Sequence, residues 1–408
     1  MSELLLTHPE LEQEPPAVPF DEFLLKIESR CNLACDYCYV YEMADQSWQN
    51  QPLTMSPETM IATAERVREH VDENEVEKAT IIFHGGEALL ADKRDPGFFL
   101  WATSLFRNIV GEDRVEFGTQ SNGVLLTQQV IDRLINAGIG IGISLDGPPA
   151  IHNKHRTYRN GNGSYHETAR GLRLLNKNFF NRQIYGGILT TIMLEGEPLQ
   201  TYSTLRQFDP PAIDFLLPLG TWDNPPPKRE PGTPDTPYAD WLIPIFDKWW
   251  AEGHGKETRI RIFDEILRLT KGLPSNVEYL GLGAPRNIVV ESNGAIQQVD
   301  GLKAVAENAP DLGLNVRDNS FKEALHHPLT RHRQLGLAAL SRTCQQCELV
   351  NVCGGGHDAH RFGNNRGYDN PAIYCPDLTK IITYIDSSLQ RTTRLQAIRQ
   401  LGEDRRRE

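Results

Sequence analysis

The sequence predicts an α/β protein in which a partial barrel of six parallel strands is followed by a smaller cysteine-bearing domain and a C-terminal helix. Three observations support this fold class. Strand-like and helix-like stretches alternate up to about residue 255, the alternation stops there, and the seven cysteines form one group near each end of the chain. Strict alternation implies parallel β-α units with right-handed crossovers.

Six stretches rich in β-branched and apolar residues are the predicted strands of the barrel. They span residues 23–29, 78–85, 114–120, 138–146, 183–192 and 212–219. The helical stretches that follow them span residues 57–71, 97–110, 127–138, 163–177, 197–208 and 238–253. A proline-rich segment, 221–237, interrupts the last unit, and we interpret it as a surface loop, with a substrate lid as the alternative.

Composition restricts the possible partners. The net charge is −12, with 24% charged and 39% hydrophobic residues, and no apolar run approaches the ~20 residues that span a bilayer. An acidic surface disfavours nucleic-acid backbones. The odd cysteine count, together with the lack of an apolar leader, favours a reducing cytoplasm over a disulfide-bonded exterior. We therefore expect a cytoplasmic protein with no nucleic-acid or membrane partner.

The cysteine spacing indicates two iron–sulfur clusters. The front group has the spacing C-x3-C-x2-C and the rear group the spacing C-x2-C-x5-C-x21-C. Three thiolates leave one iron of a cubane open, whereas four close it. Zinc is the alternative for the rear group. The front ligands are Cys31, Cys35 and Cys38, and the rear ligands are Cys344, Cys347, Cys353 and Cys375.

Unusual residues follow the first four predicted strands. They are the front cysteines, HGGEALL at 84–90, QSNG at 120–123 and SLDG at 144–147. Each glycine-containing feature alone could be structural: Gly85-Gly86 a tight turn, Asn122-Gly123 a hairpin-like turn and Asp146-Gly147 the start of a loop. Since the carboxyl ends of barrel strands share one rim, where barrel enzymes build their sites, we interpret the four features together as a site.

These motifs resemble those of the radical S-adenosylmethionine (SAM) superfamily, whose front loop reads here as CNLACDYC at 31–38. The resemblance implies that Tyr37 lies against the adenine and that Gly85, Gly86 and Glu87 hold the SAM amino group. It further implies that Asn122, Ser144 and Asp146 surround the ribose and methionine. Arg156 would pair with the SAM carboxylate, which a guanidinium matches in bidentate fashion.

The rear cysteines resemble the SPASM extension of radical SAM peptide-modifying enzymes. Where that pattern has further cysteines for an inner cluster, this chain has Val299 and His357. The resemblance therefore implies one SAM-binding and one auxiliary [4Fe–4S] cluster. It divides the chain into five parts: an N-terminal extension (1–19), a radical SAM partial barrel (20–255), a bridging region (256–284), a reduced SPASM-like domain (285–377) and a helical tail (378–408).

Within SPASM enzymes the motifs look like those of the FxsB-type subgroup, which form cyclophanes. The resemblance implies that a 5′-deoxyadenosyl radical abstracts a β-hydrogen from a ribosomal precursor peptide and that the β-carbon then joins an aromatic ring. An electron donor of flavodoxin or ferredoxin type is implied. The alternatives are a thioether-forming or epimerising maturase, a sulfatase-maturating enzyme and a non-catalytic electron carrier.

Two residues are candidates for the general base that takes up the proton lost from the substrate. Asp300 occupies the position of an aspartate that acts as base in some SPASM relatives. His357 replaces a cluster ligand, and its ordinary pKa near ~6.5 suits proton transfer. We expect Asp300 to be the base and His357 to fill the vacated space.

Overall fold

The computed structural model describes the backbone of residues 15–404 and the side chains of residues 15–391. Most of the predicted N-terminal extension and the charged side chains at the end of the tail lie outside the described residues. The strands are β1 Glu22–Glu28, β2 Ala34–Cys35, β3 Ala79–Gly85, β4 Val115–Ser121, β5 Ile139–Ser144, β6 Arg156–Thr157, β7 Tyr185–Thr191, β8 Ala212–Leu216, β9 Arg259–Ile260, β10 Asn287–Val290, β11 Ala295–Gln297 and β12 Asp311–Asn315.

The helices of the first half are α1 Pro57–Glu73, α2 Leu89–Arg94, α3 Phe98–Val110, α4 Gln128–Ala137, α5 Pro149–His155, α6 Tyr165–Leu175, α7 Phe179–Gln183 and α8 Pro198–Arg206. Those of the second half are α9 Pro237–Ala251, α10 Arg261–Thr270, α11 Phe321–Leu325, α12 Pro328–Arg333, α13 Arg342–Gln345, α14 Val350–Cys353, α15 Asp358–Arg361 and α16 Cys375–Asp404. Short 3₁₀ turns lie at Ser47–Asn50, Glu112–Arg114, Asp300–Ala304 and Gly336–Ala339.

The predicted fold class is confirmed. The six predicted barrel strands are present and lie side by side in the order β1-β3-β4-β5-β7-β8, with parallel pairing throughout. The helix that follows each strand lies where the sequence predicted it, and the C-terminal helix is present.

Alternating burial shows which face of the sheet the helices cover. In β3, Ile81 and Phe83 are fully buried, and the Phe83 ring lies 5.7 Å from the ring of Phe99 in α3. Thr80 and His84 point to the opposite face, which we call the inner face. The register places Lys26 of β1 beside His84, so both side chains lie on the inner face near the carboxyl ends of their strands.

The barrel sheet continues into the rear of the chain. β10 pairs in parallel with β1, and β11 and β12 extend the same edge in antiparallel fashion, so β1 is an internal strand. This pairing brings the turn that follows β11 close to the carboxyl end of β1. The rear segment therefore contributes residues to the inner face.

The proline-rich segment 221–237 is anchored to the rear of the chain. The buried guanidinium of Arg229 donates to the Ile373 carbonyl from Nε at 3.1 Å and from Nη2 at 2.9 Å. Trp222 Nε1 donates to the Pro371 carbonyl at 2.8 Å. The loop has few apolar residues, and these hydrogen bonds hold it against the segment that leads into α16.

Among residues 15–404, no helix has the length and apolarity needed to cross a membrane.

Candidate active site

The front cysteines lie on a loop between β1 and α1, at the carboxyl end of β1. Cys35 pairs with Arg156 in the small β2–β6 sheet, which holds the loop against the end of the barrel. Burial is the main reason that the pKa of Cys31 rises to about 12 and that of Cys35 to about 11, and the neighbouring front thiols act in the same direction. The three thiols thus lie within electrostatic range of one another and are free of disulfides, which fits three ligands to one cluster.

Close backbone approach explains the two glycines at the end of β3, Gly85 and Gly86. Gly85 has a φ of +142°, and a Cβ there would overlap the carbonyl oxygen of Glu28. A Cβ on Gly86 would overlap the carbonyl oxygen of Arg30 and the Tyr41 hydroxyl. The end of β3 therefore packs directly against the start of the cysteine loop, an arrangement that larger residues would prevent.

The Glu87 carboxylate is buried and accepts hydrogen bonds from the protein. Its Oε1 accepts from Ser121 Oγ at 2.8 Å and from the Leu89 N–H at 3.0 Å, and its Oε2 accepts from the Asn122 N–H at 2.8 Å. Burial raises the pKa of Glu87 above its ordinary range. The carboxylate thus holds the turn after β4 in place, a role beyond the SAM contact that the sequence suggests.

Asp146, Arg156 and Tyr37 form one hydrogen-bonded group. Arg156 Nε donates to Asp146 Oδ2 at 2.8 Å, and the Tyr37 hydroxyl donates to the same oxygen. The guanidinium carbon lies 5.5 Å from the centre of the Tyr37 ring. Burial alone would raise the pKa of Asp146, but the Arg156 guanidinium holds it below the ordinary value. The three residues predicted to contact SAM are therefore adjacent and hold one another in position.

Asn122 and Ser144 lie on the same rim. Asn122 Nδ2 donates to Asn32 Oδ1 at 2.8 Å and lies 3.8 Å from the Cys31 sulfur. Ser144 Oγ accepts from Gln120 Nε2 at 3.0 Å. The structure thus brings all the predicted SAM-contacting residues to the rim that carries the front cysteines.

Asp300 opens the 3₁₀ turn after β11 and is 7% exposed. Its Oδ2 is bonded to the Lys26 ammonium and accepts from the Tyr39 hydroxyl at 3.3 Å. Its Oδ1 is buried and has no hydrogen-bond partner among the described residues. Burial alone would raise the pKa of Asp300, but its charged and hydrogen-bonding neighbours, Lys26 foremost, together hold the pKa below its ordinary value. Asp300 is thus an ionised carboxylate with one oxygen available.

Three further residues that the motifs did not predict lie around Asp300: Lys26, His84 and Tyr39. Lys26 is 3% exposed, and its Nζ lies 3.1 Å from His84 Nδ1. Burial, and then the Lys26 charge, lower the pKa of His84 to about 3, so its imidazole is neutral. One feature of the sequence could have identified Lys26, namely its place inside the apolar stretch FLLKIES. A lysine in a buried strand needs a partner of opposite charge, so its presence there indicates a charged group nearby.

His357 lies beside the same turn but takes part in another network. Its imidazole packs on Gly301 so closely that a Cβ there would overlap the ring. Its Nδ1 accepts from the Ala359 N–H at 3.1 Å, and its Nε2 lies 3.7 Å from a Glu278 carboxylate oxygen. Arg333 bridges Glu278 at 3.2 Å to Asp358. The space around His357 is thus filled by buried ion pairs.

The four rear cysteines also lie together. Burial is the main reason that the pKa of Cys353 rises to about 12, and the charges of Cys375, Cys344 and Cys347 act in the same direction. Within the described part of the chain, no group of three or more His, Cys, Asp or Glu side chains is arranged to hold a metal ion.

Residues 26–208 match the family model of the Radical SAM superfamily. Two curated relatives match most of the chain. A serine-type anaerobic sulfatase-maturating enzyme of Bacteroides thetaiotaomicron is 24% identical over 368 residues, covering 85% of this chain and 84% of that protein. A cysteine-type anaerobic sulfatase-maturating enzyme of Clostridium novyi is 22% identical over 377 residues, covering 91% and 96%.

Two solved structures have a similar fold. Native anSMEcpe with bound AdoMet and the Cp18Cys peptide superposes with a TM-score of 0.75 at 22% identity, covering 91% of this chain and 98% of that chain. Streptococcus suis SuiB bound to the precursor peptide SuiA gives a TM-score of 0.57 at 12% identity, covering 88% and 77%. At these identities the likeness establishes the fold.

Proposed function

We propose that this chain is a radical SAM enzyme, as the match of residues 26–208 to that superfamily supports, and that it oxidises one side chain of a peptide or protein substrate by two electrons. The match to the superfamily confirms the predicted cofactors, SAM and [4Fe–4S] clusters. One observation carries the proposal. Asp300, an ionised carboxylate with an unpartnered oxygen, lies beside the front cysteine loop, to which the Tyr39 hydroxyl connects it at 3.3 Å.

SAM and the front cluster supply, when bound, the one-electron chemistry that removes a hydrogen atom from an unactivated C–H bond. The residues of this chain orient SAM and accept the proton that leaves the substrate. Arg156 and Asp146 orient the polar end of SAM, and Asn122 lies against the cysteine loop at 3.8 Å from the Cys31 sulfur. Once a hydrogen atom and an electron have left the substrate, a proton must also leave, and Asp300 Oδ1 accepts it.

The first candidate reaction is conversion of a cysteine or serine side chain to an aldehyde. The curated relatives are named as sulfatase-maturating enzymes of the serine and cysteine types, and anSMEcpe is solved with a bound peptide. These comparisons support the sulfatase-maturase alternative better than the aromatic crosslink that the sequence analysis favoured. A carboxylate base serves this reaction directly, because oxidation of a hydroxyl or thiol carbon releases one proton from the heteroatom.

The second candidate is the aromatic crosslink. It is favoured by Val299 and His357, which stand where the SPASM pattern of the sequence analysis has inner-cluster cysteines. In the structure Val299 is buried and His357 packs on Gly301, so this region is closely packed with apolar and ion-paired side chains. The crosslink needs the same base, since the aromatic ring loses a proton as aromaticity returns.

One experiment separates the candidates. Anaerobically reconstituted enzyme is incubated with SAM, a chemical reductant and three peptides: one with a sulfatase-type cysteine, its serine version, and one with an aromatic-x-x motif. Cysteine oxidation followed by hydrolysis replaces sulfur by oxygen with loss of two hydrogens and releases hydrogen sulfide. Serine oxidation and crosslinking each remove two hydrogens, but only the aldehyde reacts with a hydroxylamine probe, and only the crosslink prevents fragmentation between the joined residues.

A variant with Cys31, Cys35 and Cys38 replaced by alanine is the matched control and should give neither 5′-deoxyadenosine nor a modified peptide. We expect the wild type to convert at least one peptide with one 5′-deoxyadenosine per two-electron oxidation. SAM cleavage with every peptide left unchanged would contradict the proposal, as would a modification that leaves the hydrogen count unaltered.

A further inference from the structure

Lys26 carries a positive charge into the inner face of the barrel. It is 3% exposed, in the fifth position of β1, and a lysine is almost never fully buried unless it is paired. Its ammonium has two described partners, Asp300 Oδ2 and His84 Nδ1, the latter at 3.1 Å. The Tyr39 ring centre lies 5.7 Å from Nζ. The described neighbours of this ammonium thus come from the turn that carries Asp300, from β3 and from the front cysteine loop.

Two hydrogen bonds to the same carboxylate oxygen hold Asp300 in one orientation. Lys26 and the Tyr39 hydroxyl both bond to Oδ2. No described group bonds to Oδ1, although this atom is fully buried. A buried polar atom without a partner costs free energy, and such atoms persist where function needs them. The asymmetry between the two carboxylate oxygens therefore points to Oδ1 as the atom reserved for the substrate.

We propose that Lys26 is a positioning residue for proton transfer, which holds Asp300 charged and oriented so that Oδ1 takes the proton from the substrate. This inference rests on the proposed function, because it assigns a role within the same oxidation. Lys26 touches neither SAM nor the reacting carbon in this role. It acts through Asp300.

The charged groups around Asp300 agree with this role. Lys26 from β1 is the largest of the charges that lower the pKa of Asp300. The His84 imidazole comes next but carries little charge at neutral pH, and Lys303 from the same turn as Asp300 follows. Lys303 is itself held by Asp45 at 3.1 Å and by Glu291 at 3.0 Å, which offset its charge. His84 from β3 is neutral, and burial holds the Tyr39 hydroxyl protonated. Lys26 is therefore the counter-charge on which the ionisation of Asp300 chiefly depends.

The test compares Lys26→Met with Lys26→Arg in reconstituted holoenzyme. Methionine keeps the approximate length but loses the charge, whereas arginine keeps the charge and hydrogen-bond donors. Lys78→Met is the matched control, because Lys78 lies just before β3 and pairs with Glu116 on the surface. For each variant we measure 5′-deoxyadenosine, modified peptide and the pH dependence of their ratio.

We expect Lys26→Met to form 5′-deoxyadenosine while the yield of modified peptide per SAM cleaved falls by about 10²-fold, the order of loss for a misplaced catalytic group. The acidic limb of its pH profile should move up by about one to three units, the usual effect of one adjacent opposite charge. Lys26→Arg should recover part of the yield of modified peptide and part of the shift in the acidic limb. Lys78→Met should match the wild type.

An unchanged ratio and pH profile in Lys26→Met, alongside an impaired Asp300→Asn variant, would overturn the proposal. Infrared difference spectra between each protein and its Asp300→Asn version give the protonation midpoint of Asp300 without any peptide. A midpoint that does not rise in Lys26→Met would also overturn the proposal. If the wild type modified no peptide but this midpoint rose, the proposed function would fail while the charge-holding role of Lys26 would stand.

Discussion

Replacing Asp146 by asparagine removes the negative charge that connects the cysteine loop to the SAM-facing rim. The Asp146 side chain is fully buried, and Arg156, its ion-pair partner, is 12% exposed. Oδ2 accepts from Arg156 at 2.8 Å and from the Tyr37 hydroxyl, and Oδ1 accepts from the Thr191 N–H at 3.0 Å. Asparagine can still accept from the Thr191 N–H through its amide oxygen. Its NH₂ group then faces the Arg156 guanidinium and the Tyr37 hydroxyl, which need an acceptor.

The magnitude follows from these contacts. Each hydrogen bond to a charged group contributes ~1.5–3 kcal/mol, and breaking one partner of a buried ion pair costs ~3–5 kcal/mol. These terms overlap, so we expect the free energy of unfolding of Asp146→Asn to fall by about 3 kcal/mol. SAM affinity should fall at least about tenfold, since Arg156 loses the contact that orients it, and 1.4 kcal/mol corresponds to a factor of ten.

The assay is urea unfolding followed by circular dichroism under anaerobic conditions, with SAM affinity measured by equilibrium dialysis. Asp240→Asn is the control, because Asp240 pairs with Lys380 on the surface and its side chain is 58% exposed. Such exposed pairs contribute ~0–1 kcal/mol. A loss below ~1 kcal/mol in Asp146→Asn together with unchanged SAM affinity would refute the role given to this group.

Three further predictions concern other parts of the chain. Gly86→Ala should abolish SAM cleavage and destabilise the fold by ~1–3 kcal/mol, because the new Cβ meets the rigid carbonyl of Arg30; activity and urea midpoint would show it. Burial lowers the pKa of His70 to about 4. Between about pH 6.5 and 4 the unfolded chain therefore binds a proton at this histidine and the folded chain does not. The free energy of unfolding should fall by up to about 3 kcal/mol as the pH falls through that range. Urea midpoints across that range should be flatter for His70→Gln. Reconstituted enzyme should hold about eight irons, four per cluster, and a Val299→Cys, His357→Cys double variant should gain none; an iron content near twelve in the variant would contradict this.

Much of the barrel could be predicted because its signals are local. Apolar stretches such as 138–146 and amphipathic ones such as 127–138 have lengths and periods that identify strand and helix without knowledge of their neighbours. Both are found within a few residues of the predicted bounds, at Ile139–Ser144 and Gln128–Ala137. Gly85 and Gly86 stood out in the sequence as a glycine pair at a strand end, but their reason, close approach to the carbonyls of Glu28 and Arg30, joins distant residues.

The remainder depended on contacts between distant residues. The parallel pairing of β10 with β1 joins segments more than 250 residues apart, and nothing in NIVV marks β1 as its partner. Without that pairing, Asp300 could be assigned a role from a resemblance but could not be placed beside Lys26. Likewise, Arg156 was predicted to serve the SAM carboxylate, whereas its partnership with Asp146 required the fold of the α5 region to be known.

Buried ion pairs connect the cysteine loop to the turn that carries Asp300. Lys303 bonds to Asp45, which follows the front cysteines, and to Glu291, which follows β10. Lys26 makes the equivalent connection from β1 to Asp300 itself. Such buried pairs add little to the free energy of unfolding, but they restrain the positions of the residues they join, because a displaced charge would remain buried without a partner. In the SPASM pattern, metal–thiolate bonds at the position of Val299 would restrain this turn. Here two buried lysines restrain it, so the chain can hold Asp300 beside the front cysteine loop without an inner cluster.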